Sequence, residues 1–174
     1  MPTTYTWARL GVRKVVDHQA PQGRRVNVTG AFAPFDPAGA RFLFECRGKA
    51  DGPLDAKAHL GFVAKVAGLQ QVVETKKPLQ RPCVIVLDNY SVHHSQPIKD
   101  MEDTLKAAGV TFFYLPPYSP EMNRIEPVWK QVKHQDMDQR SYTSEAELKH
   151  AVLQALNKRA AIIANSYNFL TETA

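Results

Sequence analysis

Two short apolar runs, VIVL at 84–87 and VTFFYL at 110–115, constrain this 174-residue chain more than any other feature. The first has no polar alternation and is bounded by turn-forming residues, so it reads as a strand buried on both faces. The second reads as another central strand. Between them Ile98, Met101, Leu105 and Ala108 recur at helical spacing. Ser95 stands where a cap belongs, Pro97 suits a first turn and Gly109 suits a stop. Strand, helix and strand in that order make a βαβ unit whose two strands run parallel. Asp88 then falls at the carboxyl end of its strand, where open α/β sheets form their ligand crevices. A strand-ending turn closed by Asx hydrogen bonds is the alternative for Asp88 and Asn89.

The rest of the chain supplies a setting for that unit. In RRVNVTGAFAP (24–34), Val26, Val28 and Phe32 alternate with Asn27 and Thr29. In ARFLFECRG (40–48), Phe42, Phe44 and Cys46 share a side. With Pro34, Pro37 and Gly39 between them, these segments predict a hairpin. Leu54, Ala58, Phe62, Val63 and Val66 form a helical stripe between residues 53 and 71, interrupted near its end by Gly68. After VTFFYL comes the stiff loop PPYSPEMNRIEP, then a helical PVWKQVKHQDM with Val128, Trp129 and Val132 inward. Ser144 and Glu147 have capping-box spacing ahead of a last helix that buries Leu148, Val152, Leu156 and Ile163. The whole predicts one α/β domain over residues 1–174, with a mixed sheet that would normally hold one more strand near its centre.

Composition narrows the class. With 44% apolar and 22% charged residues, the chain is ordinary for a soluble globular protein. No apolar run approaches the roughly 20 residues needed to cross a bilayer, and the first residues lack the apolar core of a secretory signal. A cytoplasmic protein with no membrane partner is expected. Cys46 and Cys83 sit among apolar neighbours without C-x-x-C spacing, which predicts buried free thiols. No histidine pairs with a cysteine at ligand spacing, which argues against structural zinc. The net charge of +5 suits a polyanionic partner such as DNA.

A second carboxylate draws notice at Glu126. Asn123 lies three residues earlier, the spacing of a capping box. Pro127, however, disfavours helical geometry for Glu126 and itself prefers the first helical position, which would put Glu126 at the helix mouth. In both readings Glu126 sits at a helix start after a rigid loop, with Lys130 and Lys133 on roughly the same face. Taken together, VIVLDNYSVHHS and LPPYSPEMNRIEPVWKQVK resemble the catalytic signature of DDE transposases of the mariner superfamily, in the branch of bacterial insertion sequences. Those proteins carry a strand ending Leu-Asp-Asn and a histidine a few residues on. Leu-Pro-Pro-Tyr-Ser-Pro, an Asn and Ile-Glu then precede a tryptophan. The close match covers residues 80 to 137, with looser similarity at Trp7, Gly11 and 26–32. Glu126 follows Asp88 by 38 positions.

The resemblance implies a ribonuclease-H-like mixed sheet flanked by helices, with two Mg²⁺ or Mn²⁺ ions held on three acidic residues. Two such ions flank a phosphodiester, one at the nucleophile and one at the leaving oxygen. Asp88 matches the second acid and Glu126 the third, as catalytic residues and metal ligands. His93 matches the family's histidine, as support of the site or a DNA contact, because imidazole suits a hard cation poorly. His94 is its solvent-facing neighbour, and Asn89 is expected to orient Asp88. Pro116, Pro117, Tyr118 and Pro120 fix the approach of Glu126, with Tyr118 either stacking on a base or packing under the loop. Trp129 is expected in the core. Arg124, Lys130, Lys133 and Arg140 either meet phosphates or form a solvated basic face.

One part of the pattern is missing. The family's first acid lies on a first strand upstream of the tryptophan segment, yet the six residues before Trp7 contain no Asp or Glu. The expectation is therefore a catalytic domain lacking its first strand, with no helix-turn-helix domain ahead of it. Asp17, after two valines, is the best substitute, whereas Asp36 and Asp51 lie in turn-like sequence. The expected function is metal-dependent DNA cleavage and strand transfer in transposition, incomplete in this chain alone. The alternative is a non-catalytic DNA-binding or oligomerisation fragment of a frameshifted or decayed transposase. Expected partners are double-stranded DNA (transposon ends and target), a second copy in a homodimer, and an upstream-encoded transposase fragment. An unrelated phosphotransfer enzyme is disfavoured, because no Gly-rich phosphate loop accompanies Asp88.

Overall fold

The alternating segments pair as a hairpin in the computed structural model, which describes residues 9–12, 25–36, 39–138 and 142–171. Strands β1 (Asn27–Ala33) and β2 (Arg41–Arg47) run antiparallel, with Val28 opposite Cys46, Gly30 opposite Phe44 and Phe32 opposite Phe42. A period of two places these six residues on one face. That face packs on α4 (Glu126–Gln131) and α5 (Glu145–Thr171) around buried Phe42, Val128, Val132, Val152, Ala155 and Leu156. Trp129 completes the contact, its ring edge-on to Phe42 at 5.4 Å. Gly30 makes room for it: a Cβ there would lie 2.5 Å from the Trp129 ring.

The predicted 53–71 helix is two helices, α1 (Ala56–Ala67) and α2 (Gln70–Thr75). Gly68 divides them by taking a left-handed conformation, φ 69°, that closes α1. At the other end of α1, the Asp55 carboxylate accepts from the Ala58 N–H at 2.8 Å. The βαβ unit follows as β3 (Cys83–Leu87), α3 (Gln96–Ala107) and β4 (Val110–Tyr114). Its strands are parallel, with Cys83 opposite Val110 and Leu87 opposite Tyr114. Helices α1 and α3 cover one face, burying Val63, Leu105 and Val110 against Leu60, Leu79, Ile85 and Phe112.

Several expectations are corrected. The VIVL strand is buried on one face only, since Val84 is 63% exposed and its neighbour across the ladder's next step, Phe113, is 55% exposed. The helices of the unit cover only the side that Ile85 and Phe112 face. Met101 is exposed rather than inward, because α3 turns Glu102 to the sheet, where its carboxylate takes the Tyr114 hydroxyl at 2.6 Å. Ser95 occupies the cap position of α3 but does not cap it: a 3-10 turn at Ser91–His94 brings Val92 close, and the hydroxyl donates to the Val92 carbonyl at 2.7 Å. The Ser144 hydroxyl does accept from the Glu147 N–H at 3.1 Å, while the Glu147 carboxylate reaches one residue further back, to Thr143 N at 2.7 Å. Cys46 and Cys83 are free and half-buried, and burial pushes both thiols up.

Among the described residues four strands form two ladders of two, one antiparallel and one parallel. No further strand joins them among the described residues. Beyond α4 the chain widens into a π turn, Val132–Asp136, fixed from α5 by Arg159. The Arg159 Nε donates to Asp136 at 2.7 Å and its Nη1 to Gln131 at 3.0 Å, with the Asp136 side chain almost wholly buried.

Candidate active site

The two parallel strands end together, and backbone groups hold them there. The Leu115 N–H donates to the Leu87 carbonyl at 2.8 Å, and the Asn89 side-chain amide donates to the Leu115 carbonyl at 2.9 Å. Asp88 thus emerges from β3 at a pinned position with its side chain 48% exposed. Its Oδ1 accepts from the Tyr90 N–H at 3.1 Å, so the Asx turn also exists. The chain then coils into the 3-10 turn that returns His93 to Asp88. His93 Nδ1 lies 3.0 Å from Asp88 Oδ1 and 3.1 Å from the Asp88 carbonyl. Both of those oxygens are acceptors, so Nδ1 must carry the proton.

Asn89 braces the strand ends instead of bonding to Asp88. Its side-chain oxygen is 3.1 Å from His94 Nε2, and the exposed His94 ring stacks on Tyr114 at 4.9 Å. Burial and then the Glu102 hydrogen bond push the Tyr114 hydroxyl well above its ordinary range. His93 also touches two rings, Tyr90 edge-on at 5.8 Å and His59 of α1 at 4.5 Å. His59 is 4% exposed and its Nε2 has no hydrogen-bond partner among the described residues. Burial pushes this imidazole down to about 4, with the neighbouring His93 acting in the same direction and Asp88 opposing. Sequence reasoning missed His59, Glu102 and Tyr114. The signal for His59 was present, since it lies three and four positions before Phe62 and Val63 on the inward stripe of α1.

Glu126 is reached from β4 through the proline loop. Pro120–Met122 form a 3-10 turn, and the Glu126 N–H donates to the Asn123 carbonyl at 3.0 Å. Glu126 is the first residue of α4, Pro127 lies in the first turn, and no side chain caps the helix. The reading that places Glu126 at the helix mouth therefore holds, and the capping box does not form. The Asn123 side chain instead accepts from Ile125 N at 3.5 Å. Glu126, Lys130, Lys133 and Arg124 are all exposed, and the Arg124 guanidinium lies over the Phe35 ring at 4.8 Å. Tyr118 is fully exposed with φ 57°, so it does not pack under the loop. Asp36 pairs with Arg41, and Asp51 pairs with Lys149 and accepts from Gly48 N, so both serve the scaffold. Trp7, Asp17 and Arg140 lie outside the described residues.

Asp88 and Glu126 offer the accessible carboxylate oxygens that a hard divalent ion prefers. In kind they fit such an ion. In number they fall short, since no group of three or more His, Cys, Asp or Glu able to hold a metal occurs among the described residues. His93 Nδ1 sits against the carbonyl and Oδ1 of Asp88 and restrains that side chain.

No helix among the described residues is long and apolar enough to cross a membrane. No curated protein matches the chain. The DDE superfamily endonuclease family matches it over residues 1–149, a span that holds Asp88, His93, Glu126 and the α/β scaffold around them. Endonucleases of that superfamily act on DNA and generally use divalent metals. With a mixed α/β architecture of the ribonuclease-H-like kind and a match over most of its length, the chain belongs to the DDE superfamily of endonucleases.

Proposed function

We propose that this chain is a catalytic domain of a mariner-superfamily DDE transposase, of the insertion-sequence branch. In this reading Asp88 and Glu126 are two of three carboxylates for a pair of Mg²⁺ or Mn²⁺ ions. The carrying observation is the convergence at one strand end: Asp88 leaves β3 beside the start of the loop that leads from β4 to Glu126, and Asn89 ties the two together. When bound, the ion pair activates a nucleophile and stabilises the leaving oxygen of a phosphodiester. The protein's own share is to place the donors. His93 Nδ1, hydrogen-bonded to the Asp88 carbonyl and 3.0 Å from Asp88 Oδ1, restrains this carboxylate and leaves its second oxygen as the ligand. Arg124, Lys130 and Lys133 neutralise the phosphates of a DNA strand approaching α4. The remaining carboxylate comes from Asp17 or from an upstream-encoded transposase segment bearing an apolar strand that ends in Asp. The working form is a homodimer on transposon ends and target DNA in the cytoplasm.

The test is strand cleavage of supercoiled DNA in Mg²⁺ or Mn²⁺. The chain alone is expected to bind Mn²⁺ weakly and to leave the DNA intact. Supplied with the upstream segment, it is expected to nick, and Asp88→Ala or Glu126→Ala abolishes the nicking. Nicking that survives either substitution would remove these residues from the site. Salt-sensitive DNA binding without cleavage in any combination would leave a non-catalytic DNA-binding fragment. If the chain nicks unaided, loss of activity in Asp17→Ala identifies the third acid.

A further inference from the structure

The mechanism above makes no use of His59, yet its burial needs a reason. An imidazole removed from water with one nitrogen unpaired is destabilising, and a phenylalanine would fill the same space without that cost. Its inward neighbours Phe62 and Val63 are apolar, and its ring lies on His93 at 4.5 Å with 38° between the planes. The His93 ring has two other constraints, the T-shaped contact with Tyr90 and the hydrogen bond of its Nδ1 to the Asp88 carbonyl, which leaves Oδ1 3.0 Å away. Hydrogen bonding fixes the distance of Nδ1 from Asp88 but permits the ring to swing about its side-chain torsions. A flat surface underneath removes that freedom.

We propose that His59 is a positioning residue: its buried ring, packed at a tilt against His93, holds His93 Nδ1 between the carbonyl and Oδ1 of Asp88 and so fixes which carboxylate oxygen faces a metal ion. The inference rests on the assignment of Asp88 as a metal ligand for its functional meaning. The array His59–His93–Asp88 is testable without that assignment. Three elements contribute to it: α1 carries His59, the 3-10 turn carries His93, and the end of β3 carries Asp88. Closure of α1 onto the turn therefore sets the geometry of the strand end.

The experiment is ¹⁵N–¹H NMR of the metal-free chain, following the His93 Nδ1–H resonance, which is assigned by its disappearance in His93→Gln. Wild type is expected to show this proton protected from water. His59→Phe keeps a flat ring and keeps the signal. His59→Leu fills similar volume without a flat face and loses the signal to exchange, while circular dichroism remains native. His59→Met, which packs more adaptably, replaces the leucine variant should that one unfold. An unchanged resonance in the folded leucine or methionine variant overturns the proposal, as does its absence from wild type.

A second measurement is Mn²⁺ affinity by electron paramagnetic resonance. His59→Leu is expected to weaken binding by about tenfold or more, the usual scale for residues that orient a ligand, with His59→Phe close to wild type. In a His93→Ala background the same His59 change should do nothing further. Independent, additive losses would mean that His59 does not act through His93. Wild-type protein with the expected NMR pattern but no Asp88-dependent Mn²⁺ binding would overturn the function proposed above and leave the array standing.

Discussion

A neutral histidine inside a protein is an acid-sensitive element. His59 takes up a proton near pH 4 in the folded chain, against about 6.5 when exposed, because burial disfavours the cation. His93 reinforces that depression and Asp88 opposes it, so the direction is set by desolvation. Between these two values the unfolded chain binds the proton and the folded chain does not. Stability therefore declines as pH falls below about 6.5, and the decline is complete near 4. Allowing for partial solvent screening, the loss is on the order of 2 kcal/mol. Urea unfolding at a series of pH values should show this slope in wild type and a flatter one in His59→Phe. Equal slopes in the two proteins would mean that other groups carry the acid sensitivity.

Among the elements, α4 has the most exacting placement, because Glu126 is its first residue and its basic side chains follow. Trp129 seats it in the hollow left by Gly30, and Gly30→Ala should cost about 1–3 kcal/mol by overpacking. The Arg159–Asp136 pair anchors its far end. Arg159→Ala leaves a buried carboxylate with Lys158, 3.4 Å away, as its remaining ion-pair partner. The expected cost is about 3 kcal/mol, the low end for breaking a buried pair, and Arg159→Met with Asp136→Leu should recover most of it. A loss in the single variant that the double variant fails to recover would show that the side chains matter for packing, not for charge. At this scale the sequence was partly legible. Period-two alternation read the hairpin, because one of its faces is polar. The unbroken run at VIVL carried no such contrast, and an apolar residue looks the same whether a second layer covers it or not. That is why Val84 and Phe113 were misjudged. Two local motifs were enough to single out Asp88 and Glu126 as candidates, and the stripe of α1 signalled the burial of His59 but not its contact with His93, 34 positions away.

Across the whole molecule, the location of unpaired charge says more than the net +5. Arg41, Lys65, Lys149, Lys158 and Arg159 are engaged with carboxylates of the scaffold. Arg124 before α4, Lys130 in its last turn and Lys133 in the π turn beyond it stand exposed and are in no ion pair among the described residues. A polyanion should be drawn to this stretch, on the helix that begins at Glu126 and the turn beyond it, because cations free of ion-pair partners can displace counterions from DNA without first losing a salt bridge. The affinity for duplex DNA should accordingly fall linearly on a log–log plot against salt. Each phosphate contact contributes about −0.9 to the slope, so removing Lys130 or Lys133 as alanine should shorten it by about that amount. Arg124→Ala should do the same and also free the Phe35 ring. Lys149→Ala is the control, since that lysine already serves Asp51, and its slope should match wild type. If Lys149 and the lysines at 130 and 133 change the slope equally, binding follows the overall charge and the basic stretch from Arg124 to Lys133 is merely solvated.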